Sequence, residues 1–152
     1  MSSAAAKDAL IGAGRPIVLR YLAISACFNL AWEIAQLPLY TIWRTAGAGE
    51  ILFAVIHCTL GDVLVAAGSL LLALFSVGTP LRRGEPQFTG LAVVTVLLGL
   101  AYTVFSEWAN VRVRGTWAYA SEMPVLPPLG IGLTPLLQWL VISSLALALA
   151  RR

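Results

Sequence analysis

Charge is scarce in this chain. Of its 152 residues only 11% are Asp, Glu, Lys or Arg, against 59% hydrophobic ones, a balance far from that of soluble domains. With a mean hydropathy of +0.86 the chain belongs in a bilayer. Cysteine and histidine are nearly missing as well. The two cysteines, Cys27 and Cys58, form no CxxC or metal-type spacing. They fall inside apolar segments about five residues apart in depth, roughly 7 Å at the helical rise, which argues against a disulfide. Packing as small apolar side chains is their simplest role. A single histidine, His57, excludes the paired Glu-x-x-His elements of di-metal bundles. No cofactor and no metal are therefore expected, and a mononuclear site on His57 with Glu33 and Glu107 is the only metal reading left open. No basic motif of the kind that binds nucleic acid is present, so no nucleic-acid partner is expected.

What the chain has is long apolar runs. A helix needs about 20 mostly apolar residues to cross a hydrocarbon core roughly 30 Å thick, and it satisfies its own backbone there. Four segments qualify: Ile17 to Leu39, Ile51 to Val77, Gly90 to Ala109 and Ile131 to Ala150. The fold class predicted is all-α: an integral membrane four-helix bundle with antiparallel up-down topology, forming a single transmembrane domain over residues 1–152. The start, MSSAAAKDALIGAGR, resembles a signal peptide, but the next apolar segment carries Asn29, Glu33 and Gln36 and is long enough to span. The start is therefore expected to be a short cytoplasmic tail.

Alternation puts the N-terminus, the loop from Gly78 to Thr89 and the C-terminus on one side. That side holds seven basic residues (Lys7, Arg15, Arg20, Arg82, Arg83, Arg151, Arg152) and the other only Arg44, Arg112 and Arg114. Basic residues near span ends favour the cytoplasm, so both termini should lie inside a bacterial inner membrane. The pI of about 9.2 then reflects topology and attraction to anionic lipid. Tyr40, Trp43, Trp108, Trp117, Tyr119 and Trp139 lie toward the opposite face, as an interfacial aromatic belt would.

Within the spans a layer of polar residues stands out. Asn29, Glu33, Gln36 and Tyr40 follow an i, i+4, i+7, i+11 pattern and line one stripe. On the second segment His57 points about 140 degrees away from Asp62, whose stripe includes Cys58, Val65 and Ser69. Gly61, Gly68 and Ala54 offer a small surface for close helix approach. The third segment carries Thr103, Glu107 and Asn110 on one stripe and Tyr102 and Ser106 on the next; the fourth carries Thr134 and Gln138. At 1.5 Å per residue, Glu33, His57 and Gln138 lie roughly 9 to 11 Å below the outer face, with Glu107 shallower, while Asn29 and Asp62 form a second layer at roughly 15 Å and are placed to bond one another.

Interhelical hydrogen bonding explains Asn29, Gln36 and Thr134. Three acids and a histidine exceed that need, because such bonds bring well under about 2 kcal/mol each and amides or hydroxyls can supply them. An ionisable side chain inside hydrocarbon costs about 2.5 to 3.5 kcal/mol by insertion scales, so it normally faces protein and has a purpose. Glu33, His57 and Glu107 are the predicted reactive residues; Asn29, Gln36, Asp62, Asn110, Trp117, Tyr119 and Gln138 are the predicted ligand contacts.

Between Arg112 and Gly130 runs a loop with Gly115, Pro124 and the pair Pro127-Pro128. Proline restricts the backbone, making this a candidate ordered cap in which Trp117, Tyr119 and Met123 fold over a cavity. Glu107, then GTWAY at 115–119, then GIGLTPLLQW at 130–139 together resemble the small membrane lycopene cyclases of the heterodimeric type. That family has an acid, a W-x-Y element and a P-x-E-E motif in similar order. The resemblance covers about a third of the chain and implies that Glu107 is the helix acid, Trp117 and Tyr119 the aromatic element, and Pro135 the motif proline. Gln138 stands where the family has a catalytic acid, and an amide cannot donate the proton that starts cyclisation of a polyene. The chain as a whole resembles small four-helix bacterial membrane proteins, a likeness that implies no function.

Two functions fit these observations. One is an enzyme acting on an isoprenoid or lipid by isomerisation, hydration or cyclisation, in which a protonated carboxylic acid beside a neutral imidazole forms the acid–base pair. The other is a binding or accessory protein, holding a quinone, carotenoid or lipid, alone, as a homo-oligomer or within a larger membrane complex. A proton relay through Glu33, Asp62 and Glu107 is a further reading, but no acid continues it toward the cytoplasmic half. The partners expected are membrane lipids and a hydrophobic small-molecule ligand.

Overall fold

The protein is an all-α bundle whose helices are held at one end by an ordered loop. The structure, a computed structural model, describes residues 3–77 and 87–152, with side chains described over 15–77 and 88–152. Most of the loop expected from Gly78 to Thr89, with Arg82 and Arg83, and the Lys7 side chain lie outside the described residues. Helix α1 is Ser3–Gln36, α2 is a single turn at Ile42–Thr45, α3 is Ala48–Val77, α4 is Gln87–Trp108 and α5 is Leu133–Ala150. Four stretches are long and apolar enough to cross a membrane: Arg15–Leu39, Ala48–Val77, Phe88–Arg114 and Leu133–Ala150. The chain is a multi-pass membrane protein.

Three boundaries differ from expectation. The supposed tail before Ile17 is helical from Ser3, because its alanine-rich run favours helix and simply extends the turn already nucleated by the span. At the other end of α1, Gln36 is the last α-helical residue and Pro38 sits in a short 3-10 turn, Leu37–Leu39. The third span was expected to stop at Ala109 but continues as a π-helical turn, Ala109–Arg114. Gly115, at φ 63°, takes the left-handed conformation that closes such a helix without a Cβ penalty.

The helices close tightly at one end only. There Tyr21, Ala73, Leu91, Ala146 and Ala150 are completely buried, with Ala66, Leu70 and Leu147 nearly so. Alanines at facing positions let helix backbones approach, the usual basis of packing where no hydrophobic force acts between helices. Large apolar side chains such as Phe75, 87% exposed, and Leu64, 72% exposed, cover the outside, as a lipid-facing surface requires.

Two sequence expectations about packing are corrected. A Cβ on Gly61 or Gly68 would meet nothing within 4 Å, so these are not close-approach points; both lie over open space on α3. The close approach is at Gly99 of α4, where the indole of Trp139 occupies the position a Cβ would take. Trp139 therefore does not belong to an interfacial belt: it is 3% exposed and donates from Nε1 to the Val96 carbonyl at 2.9 Å.

The loop after Gly115 is tied to the α1–α3 connection. Tyr40 and Tyr119 form an antiparallel bridge, with Thr41 N donating to Ala118 O at 3.0 Å and Ala120 N to Leu39 O at 2.9 Å. Strands β1, Val125–Leu126, and β2, Ile131–Gly132, then pair antiparallel and lead into α5. At the turn between them Gly130, φ 62°, lies where an added Cβ would strike the Arg112 guanidinium. The loop is thus an ordered cap over one end of the bundle.

Candidate functional site

The spacing of Asn29, Glu33 and Gln36 puts all three on one face of α1, and that face meets Gln138 of α5. Gln138 is 5% exposed. Its Nε2 lies 3.0 Å from Asn29 Oδ1, 2.9 Å from Glu33 Oε1 and 2.9 Å from Asp62 Oδ2. Its Oε1 accepts from Gln36 Nε2 at 3.0 Å. Gln36 Nε2 also donates to Glu33 Oε1 at 2.9 Å, and Gln36 Oε1 accepts from Trp32 Nε1 at 3.2 Å. One amide thus joins α1, α3 and α5.

Counting hydrogens shows what this network leaves over. The two glutamine amides carry four N–H groups and make five contacts, with Glu33 Oε1 shared between them. Every amide hydrogen is spent inside the network. Among the described residues no donor is bonded to Glu33 Oε2 or Asp62 Oδ1, so the pair keeps acceptor capacity to spare.

The third acid is held separately. Glu107, 7% exposed, accepts at Oε2 from the hydroxyl of Tyr119, which itself accepts from Gly132 N at 2.8 Å. Burial, and then the hydrogen bond to the Glu107 carboxyl, push the Tyr119 hydroxyl above its ordinary range, keeping it a donor. The Tyr119 ring meets Tyr40 edge-on, with centroids 5.5 Å apart. Met123 is buried behind it, its sulfur accepting from Thr134 Oγ1 at 3.3 Å. The indole nitrogen of Trp117 is buried and has no partner among the described residues.

Both groups of acids border a cavity of about 920 Å³. Its floor is Glu33, Gln36, Asp62 and Gln138, with Glu107 and Trp117 to one side; Leu37, Phe53, Ala54, Val65, Tyr102 and Trp139 give it apolar walls. Glu50, His57 and Arg114 stand at its rim. Phe53 and Tyr102, on α3 and α4, are 68% and 52% exposed, so the apolar wall they form reaches the outer surface of the bundle.

Several predicted residues are brought together and others are not. Glu33, Gln36, Asp62, Glu107, Asn110, Trp117 and Gln138 all line the cavity. Asn29 lies beneath it, and it does not bond Asp62 directly: Gln138 bridges the two. The predicted division into an upper and a lower layer is replaced by one cluster around Gln138 and a second around Glu107. Tyr119 sits behind Glu107 and fixes it. Asn110 spends its amide on Ser106, at 2.9 Å to the carbonyl and 3.2 Å to Oγ.

His57 is exposed at the rim, stacked on Phe53 with ring centroids 5.5 Å apart. It makes no described hydrogen bond and stands apart from the acid pair, because α3 turns Asp62 inward and the two directions differ by over a third of a turn. The sequence does not single out Trp32 or Phe53, and it marks Tyr102 and Arg114 only as part of a polar stripe and as a flanking basic residue. Trp32 is one turn from Gln36 and Phe53 one turn from His57, which is the signal that points to them.

Among the described residues no group of three or more His, Cys, Asp and Glu side chains is placed to hold a metal ion. Comparison of the chain with protein-family models, curated proteins and solved structures finds no match.

Proposed function

We propose that this membrane protein binds a hydrophobic ligand that enters sideways between α3 and α4 and brings one end against the carboxyl floor, where Glu107 and the Glu33–Asp62 pair exchange protons with it. The observation that carries this reading is the 920 Å³ cavity with apolar walls over a floor of carboxyl and amide groups. Its size falls within the range of small-molecule sites, and so does its pattern of few polar groups within an apolar lining.

Acid–base work needs donors and acceptors within reach of one substrate. Glu107 and the pair border the same space, which supports their acting on one ligand, as isomerisation, hydration or cyclisation of an isoprenoid or lipid requires. The likeness to the lycopene cyclases groups Glu107 with Trp117 and Tyr119, and their adjacency supports that grouping. In such chemistry the acid is Glu107 and Gln138 is the positioning residue, since its amide orients both carboxyls and cannot itself give up a proton. The seven-to-three distribution of basic residues supports an orientation with both termini cytoplasmic and the cavity in the outer half of the membrane.

The test is organic extraction and mass spectrometry of protein purified in native-lipid particles. A stoichiometric isoprenoid, quinone or lipid should accompany the wild type, and Glu33→Gln, Asp62→Asn and Glu107→Gln should each reduce it while still inserting. Retention unchanged in all three variants would remove the carboxyl floor from the reading.

A further inference from the structure

The hydrogen bonds of the floor restrict what kind of ligand end it accepts. This step rests on the cavity being a ligand site, as proposed above, and concerns the head group alone. All four amide hydrogens of Gln36 and Gln138 are used within the protein. What remains on the paired acids that line the cavity is acceptor capacity, at Glu33 Oε2 and Asp62 Oδ1. Glu33 and Asp62 both touch the same nitrogen at 2.9 Å, so their carboxyl groups lie side by side.

No lysine or arginine belongs to that floor. The basic groups that border the cavity, Arg114 and His57, are exposed at its rim, where Glu50 also stands. On the Glu107 side the buried indole nitrogen of Trp117 has no partner among the described residues, and the hydroxyls of Tyr40, Tyr102, Ser106 and Thr116 that also line the cavity carry no charge. An anionic head would meet carboxyl oxygens in a medium where like charges repel strongly. A hydroxyl head brings one hydrogen for several acceptors. A primary ammonium brings three, and supplies the positive charge that a buried carboxyl pair lacks.

We propose that the cavity takes an amphiphile with a primary amino head, its ammonium seated between Glu33 and Asp62 and its hydrocarbon tail leaving between α3 and α4 past Phe53 and Tyr102. The apolar lip and the acceptor floor are then two parts of one recognition site, for tail and head respectively. Gln138, spent on holding the two carboxyls, sets their separation.

The experiment holds the tail constant and varies the head. Dodecylamine, 1-dodecanol and dodecyl phosphate are titrated into the protein in nanodiscs of zwitterionic lipid, with tryptophan fluorescence as the readout and empty nanodiscs as the control for partition into lipid. Dodecylamine should bind about tenfold or more tightly than dodecanol, and dodecyl phosphate most weakly. In Glu33→Gln/Asp62→Asn the amine should fall to the level of the alcohol. Alcohol or phosphate binding as well as the amine in the wild type overturns the head-group inference and leaves the cavity reading standing. No saturable signal with any of the three overturns both. The wild-type series decides the matter without relying on a variant that folds.

Discussion

The two halves of this bundle solve the same problem in opposite ways. Near Tyr21 and Leu91 the helices meet through alanines, and the polar groups there are hydroxyls; Thr95, fully buried, returns its hydroxyl to the Leu91 carbonyl of its own helix at 2.8 Å. Near Gln138 the helices stand apart, and polar side chains from three of them are joined through one amide. Close packing here holds single hydroxyls without a network: Thr95 is satisfied within its own helix, and the buried hydroxyls of Tyr21 and Ser25 have no partner among the described residues. Carboxyl and amide groups carry several donors or acceptors each, and leaving such a buried group unpaired costs roughly 1–3 kcal/mol or more, which the network around Gln138 avoids. One half is thus held by packing and the other by a hydrogen-bond network.

The largest effect that would break this contrast belongs to Gln138. In Gln138→Leu, Asn29, Gln36, Glu33 and Asp62 all lose a partner at once. Interhelical bonds in membranes are individually weak, but several buried groups left unpaired should together cost about 3 kcal/mol. Unfolding in mixed micelles would measure it. An unchanged stability would mean that the open half is not held by this amide at all.

Next comes the boundary between the halves. Gly99→Ala places a methyl where the Trp139 indole lies, and overpacking of this kind costs about 1–3 kcal/mol. The indole must shift toward the cavity it lines, so ligand retention should fall along with stability. A variant that loses stability but keeps full retention would show that Trp139 is purely a packing residue.

Tyr119→Phe should be milder, about 1 kcal/mol, since it removes one donor to Glu107 and one acceptor for Gly132 N. It also tests a pH effect. The hydroxyl of Tyr119 is raised above its ordinary value of 10.0, chiefly by burial. A raised folded-state value means that its contribution is intact below the unfolded value and is lost as the pH climbs beyond it. The wild type should therefore lose stability more steeply than Tyr119→Phe in alkaline solution, which thermal unfolding across that range would reveal.

The spans were legible in the sequence because hydropathy over about 20 residues depends on composition alone. So was the stripe of Asn29, Glu33 and Gln36, since one helix's period settles the relative direction of its own residues. What could not be read was rotation of one helix against another. His57 and Asp62 point in directions about 140 degrees apart, and only the packing of α3 decides that the aspartate faces Gln138 while the histidine faces outward. The same ambiguity made Gly61 and Gly68 look like contact points, when Gly99 under Trp139 is the one that is filled. The π turn at Ala109–Arg114 had no signature either, because a change in hydrogen-bond register needs no special residue.

The smallest effect concerns the ion pair across the cap, Arg44 Nη2 to Glu122 Oε1 at 2.6 Å, both side chains well exposed. Arg44 holds the Glu122 carboxyl below its ordinary value, so what the pair contributes is present above the unfolded carboxylate range and disappears as the pH falls through the lowered one. Exposed pairs contribute little, and the cap is fixed independently by Thr41 N to Ala118 O and Ala120 N to Leu39 O. Glu122→Gln should therefore leave ligand retention and the neutral-pH melting temperature unchanged, and differ from wild type only in a slightly flatter acid limb. A clear loss of retention at neutral pH would show instead that a single surface contact sets the cap over the cavity, and would move the weight of the open half from Gln138 to the loop.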